Sequence, residues 1–226
     1  MEKNQLSLDN LQEKTEKVLA LLRDRQTGLV SWNMFLHERL SELHALLDLA
    51  GYRSKKISEP ARKWREENGV IYFSVISDGT TGEEWIKRLE NKGFRISDYA
   101  KQVLRSPDFK PTSGVTTEIA VLKGMLFADN DRITKKIRAE AGKRKLMKPN
   151  AETAIIIREK FTDEELKAMG LWWIVVMHEP IKDSVGSPNL LDAHCYGDGR
   201  WLSACYGDPD NRWLRGLGFA FAVSPQ

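Results

Sequence analysis

The stretch Leu171-Trp-Trp-Ile-Val-Val-Met177 is the most apolar run in the sequence. A short run of this kind, rich in β-branched and aromatic residues and bounded by Gly170 and His178, is typical of a strand that is buried on both faces. It therefore predicts the central strand of a sheet, around which the rest of the chain is arranged.

Helices and strands flank this run without a regular alternation. Just before it, Thr162-Asp-Glu-Glu165 has the pattern of a capping box that opens a short helix. Further strands are predicted at 70–76, 94–96 and 115–127, and further helices after the capping residues Thr80 or Thr81, Ser97 and Asn150. Because the order shows no βαβ repeat, the predicted class is α+β.

The N-terminal part is predicted to be a helical hairpin. Leucines recur at helical spacing within residues 7–25 and again within 33–50, and the helix-breaking pair Thr27-Gly28 lies between them. Two helices joined by a short turn form an antiparallel pair, which cannot bury its apolar stripes alone. We therefore expect the hairpin to dock on the main domain, on a second copy or on another protein.

A charged stretch separates this hairpin from the rest of the chain. Residues 55–67 are predicted to be a linker or a short helix, and Asn68-Gly69 marks the boundary. The predicted organisation is thus an N-terminal helical module over residues 1–67 and a main domain over residues 68–226.

The composition is that of a globular protein, with 41% hydrophobic and 30% charged residues. A formal net charge of +3 is too small to indicate a nucleic-acid partner on its own. The sequence holds no run of about 18 apolar residues, and Met1-Glu-Lys-Asn-Gln5 lacks the apolar core of a secretory signal. A cytoplasmic location with no membrane span is therefore predicted.

Residues 129–148 are strongly basic, with eight Lys or Arg and one Glu. They predict a helix over 132–148, which binds nucleic acid in one interpretation and presents an ordinary solvated face in the other. We favour the solvated face, since no aromatic platform or Gly-rich loop accompanies the charge.

The residues that could carry chemistry match no catalytic or metal-binding pattern. His178, His194, Cys195 and Cys205 could be assembled into a zinc site, but their spacing matches no known ligand pattern. The segment 192–199 lacks the acids that an EF-hand supplies to calcium. We therefore predict no catalytic residue, no metal and no cofactor.

The C-terminal segment uses a restricted set of amino acids. Residues 1–182 contain 47 Glu, Lys, Gln or Met, so residues 183–225 would hold roughly eleven at the same usage, yet they hold none. The genetic code offers an explanation, because randomising both adenines of an AAY codon for Asn cannot give Glu, Lys, Gln, Met or Trp. Within 192–217 only Trp201 and Trp213 lie outside the reachable set, which predicts fixed anchors among changeable positions. The alternative is a Gly/Asp-rich loop that merely avoids helix-favouring residues.

Residues of about 70–226 resemble the variable proteins of diversity-generating retroelements. The resemblance lies in the run Gly170–Asp183, in Gly199-Arg-Trp-Leu202, in Pro209-Asp-Asn-Arg-Trp213 and in the ending Gly218-Phe-Ala-Phe-Ala-Val223. In that family a reverse transcriptase copies a template repeat with errors at adenines, and the copy replaces the 3′ end of the target gene. The resemblance implies a C-type-lectin-like domain that is not an enzyme and that binds a protein or another macromolecule through a variable region of about 190–217.

The resemblance and the restricted amino-acid usage together predict which residues form the site. The variable, ligand-binding face is predicted to consist of Asp192, His194, Cys195, Tyr196, Asp198, Ser203, Cys205, Tyr206, Asp208, Asp210, Asn211, Leu214, Arg215 and Leu217. The scaffold anchors are predicted to be Trp201, Trp213, Phe219 and Phe221. Tyr, His and Arg offer large amphipathic contact area while Asp, Ser and Gly offer adaptable polar contacts, as in paratopes.

Related activities are set apart by particular residues. The Trp-Asn-Asp and Glu-Pro-Asn motifs of calcium-dependent lectins are absent, so neither calcium nor carbohydrate is implied. Formylglycine-generating enzymes share the fold and need a suitably placed cysteine pair, whereas Cys195 and Cys205 lie at positions marked as changeable. The alternative functions are a formylglycine-generating-enzyme-like oxidoreductase and a nucleic-acid-associated protein that uses the 132–148 helix.

Overall fold

The computed structural model describes residues 63–196 and 199–224. In this part of the chain ten strands form one sheet, accompanied by five α-helices and two 3-10 turns. The strands are β1 (Arg65–Glu67), β2 (Val70–Asp78), β3 (Arg95–Ile96), β4 (Ser113–Lys123), β5 (Leu146–Met147), β6 (Trp173–Val176), β7 (Ile181–Lys182), β8 (Pro188–Tyr196), β9 (Gly199–Tyr206) and β10 (Leu217–Val223). The helices are α1 (Gly82–Asn91), α2 (Asp98–Arg105), α3 (Thr134–Lys143), α4 (Thr153–Lys160) and α5 (Asp163–Ala168), and the 3-10 turns are Gly124–Leu126 and Asp129–Asp131. This mixed architecture agrees with the predicted α+β class, and the hairpin predicted within residues 7–50 lies outside the described residues.

The sheet places the C-terminal strand at its centre. The strand order is β1-β2-β4-β10-β6-β8-β9-β3, with β5 paired to β10 and β7 paired to β8. β6 runs parallel to β10, with Trp173 opposite Leu217, and antiparallel to β8, with Trp173 opposite His194. The prediction of a central strand within 171–177 is confirmed, since residues 174–176 are fully buried between these neighbours.

Each face of the sheet has its own core. On one face, which we call the helix face, α1, α2, α4 and α5 pack against residues such as Ile71 and Leu191. On the other, which we call the loop face, α3 and the segment 207–216 pack against residues such as Leu122 and Phe219. Because both faces are covered, the central strands are apolar on both sides.

Three helices, α1, α2 and α5, begin at predicted caps, whereas α4 begins at Thr153 with Glu152 as its N-cap instead of the predicted Asn150. Thr162 Oγ1 accepts a hydrogen bond from the Glu165 N–H at 3.2 Å, and the Glu165 carboxylate accepts one from the Thr162 N–H at 2.8 Å. At the start of α1 the Glu84 carboxylate accepts from the Thr81 N–H at 2.9 Å, and Ser97 Oγ caps α2. These bonds satisfy N–H groups that have no partner inside a helix, so the caps fix where the helices start.

β4 is shorter than predicted. The strand expected over 115–127 ends at Lys123 and continues as the 3-10 turn Gly124–Leu126. A methyl group added at Gly124 would lie 2.7 Å from the Arg215 carbonyl oxygen. Position 124 therefore requires glycine, because another backbone segment approaches too closely for any side chain.

The basic segment is also shorter than predicted. The helix expected over 132–148 spans only Thr134–Lys143, because Ile133 forms a β-bridge with Arg212 and Lys145 adopts a left-handed conformation with φ 58°. No helix in the described ranges has the length and apolar character needed to cross a membrane.

β1 extends the sheet into a stretch that was predicted to be a linker. Residues 65–67 pair antiparallel with β2, so that Glu67 lies opposite Val70. The turn Asn68-Gly69 allows this, since both residues have positive φ, 51° and 74°. The main domain therefore begins before the predicted boundary at residue 68, and the described residues belong to one compact unit, Arg62–Gln226.

Candidate ligand-binding surface

The hairpin of β8 and β9 carries most of the predicted site and divides its residues between the two faces. The register places Ala193 opposite Leu202, both in the core of the helix face. The next position places His194 opposite Trp201 on the loop face. Since side chains alternate along a strand, neighbouring residues of the predicted site point in opposite directions and cannot all meet one ligand.

Four side chains in register form a row across the loop face. Arg95 of β3, Trp201 of β9, His194 of β8 and Trp173 of β6 occupy paired positions on adjacent strands. The ring centroids of Trp173 and His194 are 4.9 Å apart, those of His194 and Trp201 are 6.1 Å apart, and the Arg95 guanidinium is 5.5 Å from the Trp201 centroid. Trp201, a predicted anchor, is only partly buried. Aromatic and cation–π contacts of this kind stabilise the register of the four strands.

Asp192 links two other predicted site residues on the same face. Its Oδ1 lies 2.8 Å from His194 Nδ1, and its Oδ2 accepts a hydrogen bond from the Cys205 thiol at 2.8 Å. Burial, together with the charge of Asp192, raises the pKa of Cys205 well above its ordinary value, so the thiol keeps its proton. Asp192 and His194 are buried and Cys205 is partly buried. The prediction that these three residues contact a ligand is therefore corrected, because they satisfy one another in the interior.

The C-terminal strand is buried along the loop face. Trp213, Phe219 and Phe221, predicted as anchors, lie in the core of this face, and Trp213 Nε1 donates to Thr134 Oγ1 at 3.0 Å. Leu217 was predicted to be a variable contact residue but is buried beside them as the first residue of β10. This is a second correction, since Leu217 packs into the same core.

The accessible members of the predicted site lie at both ends of the sheet. Leu214 and Arg215 are exposed at the end where β10 begins. Tyr206 is exposed and Asp208 half-buried at the opposite end, where β9 finishes. Ser203 is half-buried between the two ends, and its Oγ lies 3.0 Å from Ser97 Oγ.

Asp210 and Asn211 belong to a segment that crosses the loop face between these ends. The Asn211 carbonyl accepts from the Thr134 N–H at 3.1 Å, and the Asp210 carboxylate pairs with Lys135 Nζ at 2.5 Å. Asp210 is exposed and Asn211 half-buried. The crossing segment is therefore fastened to the start of α3 mainly through its backbone, which leaves these two side chains accessible.

The two cysteines do not form a pair. Cys195 lies on the helix side of the hairpin, where its Sγ is 3.5 Å from the Trp172 carbonyl oxygen, whereas Cys205 lies on the loop face. Both are free thiols. The arrangement thus offers no dithiol.

Tyr196 ends β8, while its side chain and the whole of Asp198 lie outside the described residues.

His178 is bound to the backbone on both sides of its ring. Its Nε2 accepts from the Leu191 N–H at 2.9 Å, so Nδ1 carries the proton and donates to the Glu179 carbonyl at 2.6 Å. Complete burial lowers the pKa of His178 to about 4. The ring is a neutral structural group, and the described residues contain no cluster of three or more His, Cys, Asp or Glu that could hold a metal ion.

The basic residues around α3 mostly have acidic or carbonyl partners nearby. Lys136 pairs with Asp131 at 2.6 Å and Arg144 with Glu140 at 2.9 Å. Arg138 is turned inward and donates to the Met177 and His178 carbonyls at 3.1 and 2.8 Å. These contacts favour the solvated-face interpretation of the segment, because the charges are balanced locally.

Two arginines support the hairpin in ways that the sequence did not signal. Arg158 of α4 is fully buried and donates to the His194 carbonyl at 2.9 Å and to Asp163 at 2.9 Å. Arg95 completes the aromatic row although 106 positions separate it from Trp201 along the chain. Neither role has a local pattern, since each depends on strand pairing.

No protein-family model, no curated protein and no solved structure matches this chain.

Proposed function

We propose that the protein is a non-enzymatic ligand-binding protein whose C-terminal surface is diversified by adenine-directed retroelement mutagenesis, and that its main domain is C-type-lectin-like. One observation carries the proposal. Within residues 206–216 the buried residues are Gly207, which has no side chain, and Trp213, and all the others are at least partly exposed. Trp213 is also the one residue of this segment that mutation of Asn codons at adenines cannot produce. The one buried side chain of the segment is thus also the one that this mutagenesis cannot produce.

The way the segment is held supports this function. Its backbone donates or accepts hydrogen bonds at both ends and in the middle, since Gly207 N–H donates to the Pro188 carbonyl at 2.8 Å and the Pro209 carbonyl accepts from the Lys135 N–H at 2.8 Å. The Trp213 N–H donates to the Arg132 carbonyl at 2.9 Å. Backbone bonds do not depend on side-chain identity, so exposed side chains can change without loss of the fold.

The proposed contact residues are a subset of those predicted from the sequence. They are the half-buried or exposed Ser203, Tyr206, Asp208, Asp210, Asn211, Leu214 and Arg215. The buried Asp192, His194 and Leu217 and the partly buried Cys205 belong to the frame instead. A sheet with its C-terminal strand in the middle, four helices on one face and α3 on the other supplies the rigid support that the C-type-lectin-like arrangement requires.

The DNA of the gene tests the proposal. We expect a near-copy of the segment encoding residues 190–226 close to a reverse-transcriptase gene, with mismatches confined almost entirely to template adenines. Mismatches should fall in the codons of the exposed residues and spare the codon of Trp213. A genome in which no such repeat accompanies the gene would refute diversification.

A further inference from the structure

β9 is paired along its whole length on one side and only in part on the other. On the inner side β8 lies opposite every residue of β9. On the outer side β3 pairs only with Trp201 and Leu202, because the chain turns into α2 after Ser97. Among the described residues no strand borders the outer side of residues 203–206. We call this outer side of residues 203–206 the free edge.

The backbone groups of Ala204 and Tyr206 point toward the free edge. The Gly207 N–H donates to a carbonyl of β8 at 2.8 Å, so position 207 is bonded toward β8. Backbone bonds alternate in direction along an antiparallel strand, which turns positions 206, 204 and 202 away from β8. The Ser97 N–H donates to the Leu202 carbonyl at 3.1 Å from the outer side, as this alternation requires. Two N–H and two C=O groups are therefore presented at the free edge, and the hydrogen bonds among the described residues leave them without a partner.

The two edges of the sheet differ in composition. At the opposite edge the outermost strand is β1, which consists of Arg65, Glu66 and Glu67. Charged residues on an edge strand hinder the addition of a strand from another chain. The free edge has the sequence Ser203-Ala-Cys-Tyr206, which contains neither a charged residue nor a proline. It therefore lacks the protection that the opposite edge has.

The chemistry of the free edge selects an extended main chain. Its N–H and C=O groups alternate in the plane of the sheet, and the backbone of a β-strand presents the complementary alternation. The edge is about 13 Å long, so a strand of about four residues fills it. Two such edges paired with each other would bury far less than the ~1,200 Å² of a stable dimer, which disfavours a second copy as the occupant.

We infer that the free edge binds an extended segment of a protein ligand, which joins the sheet as a further strand in line with β3. Main-chain hydrogen bonds give affinity that does not depend on the ligand's sequence. Side chains beside the edge supply selectivity, since Ser203 is half-buried on the loop face and Tyr206 is exposed at the end of β9. The inference rests on the proposed function in placing ligand contacts at these two residues, and it does not require that their codons are diversified.

Peptides selected on the full-length protein from a naive phage-displayed library test this inference. The probe is the tightest selected peptide, synthesised with N-methyl groups at alternate residues in two complementary sets. In an added strand only every second N–H faces β9. One N-methylated set should therefore weaken binding by roughly tenfold or more, while the other should change it by less than about twofold.

Ala204→Pro tests the edge from the side of the protein. It removes an outward N–H and places a ring at the edge, but it spares the bonds to β8, because the Ala204 N–H is not directed at β8. We expect it to weaken peptide binding by roughly tenfold or more. Thermal melts verify the fold of the variant, and the N-methylated peptides keep the test decisive if it does not fold.

Glu66→Pro is the matched control at the opposite edge. The two-residue turn Asn68-Gly69 makes Glu67 and Val70 a hydrogen-bonded pair, so the Glu66 N–H also points away from its neighbouring strand. This variant should bind the peptides as tightly as the unaltered protein. It therefore separates the effect of the free edge from a general effect of proline in an edge strand.

Each of the following results would overturn the inference: equal effects of the two N-methylated sets, equal binding by the two proline variants, or a library that yields no binding peptide. Sedimentation of the protein alone over a range of concentrations tests the competing occupant, since a dimer that Ala204→Pro dissociates would assign the edge to a second copy. A missing template repeat together with peptides that show the alternating N-methyl effect would reject diversification and support the added strand.

Discussion

Cys205 Sγ donates a hydrogen bond to Asp192 Oδ2 over 2.8 Å, and this bond ties β9 to β8 inside the loop face. Asp192 is fully buried, and its other oxygen is 2.8 Å from His194 Nδ1. Both carboxylate oxygens are thus satisfied by residues of the same hairpin. A buried carboxylate that loses a donor has no water to replace it, which makes the hairpin sensitive to conservative changes.

We expect Cys205→Ala to lower the free energy of unfolding by about 1–3 kcal/mol, because one Asp192 oxygen then lacks a partner. Cys205→Ser keeps a donor at the same place and should lose less. Urea unfolding measures the difference, with Cys195→Ala as the control, since Cys195 makes only a 3.5 Å contact to a carbonyl oxygen. Equal stability of the Ala and Ser variants would show that the bond contributes nothing.

We expect protonation of His178 to make the fold sensitive to moderate acid. Its pKa is about 4 in the folded protein against an ordinary value of 6.5, so the unfolded chain binds more protons between these pH values. The free energy of unfolding should therefore fall by about 3 kcal/mol as the pH drops from 6.5 to 4. Urea unfolding at a series of pH values measures the slope, and His178→Gln should flatten it. A slope that is unchanged in this variant would assign the acid sensitivity to other groups.

We expect the frame and the changeable positions of the C-terminal segment to differ sharply in their tolerance. Trp213→Ala removes a buried indole and its bond to Thr134, and should cost about 3–5 kcal/mol. Leu214→Ala, at the adjacent exposed residue, should change the stability by less than about 0.5 kcal/mol. Thermal and chemical unfolding of the two variants tests this contrast. A large loss in Leu214→Ala would contradict the assignment of Leu214 to the binding surface.

We expect two glycines in helices to respond to alanine with opposite sign. A methyl group at Gly82 would lie 1.8 Å from the Leu104 carbonyl oxygen, so Gly82→Ala must separate α1 from the end of α2 and should cost about 1–3 kcal/mol. Apart from the neighbouring residues and the backbone of α3 itself, no atom of the described residues lies within 4 Å of the corresponding position at Gly142. Gly142→Ala should therefore stabilise the protein by roughly 0.5–1 kcal/mol through helix propensity. Melting temperatures of both variants give the sign directly.

Much of the local structure was predictable because its causes are local. Thr162 and Ser97 fix helix starts through hydrogen bonds to N–H groups within three residues, and the apolar run of 171–177 marks a strand by composition alone. The candidate site was less predictable. The codon argument proposes which residues can change, but it carries no information on which residues are exposed. It therefore could not exclude the buried Asp192, His194 and Leu217 or the partly buried Cys205 from the site.

The sequence by itself determined the class of fold, the central strand and three of the helix caps, because helix and strand propensity and capping act over a few residues. Only the tertiary structure decided which face each hairpin residue occupies, since strand register alternates exposure at every position. It also brought Gly124, Trp172 and the loop 214–216 to one end of the sheet, because strand pairing brings together residues whose separation in the sequence leaves no local signal.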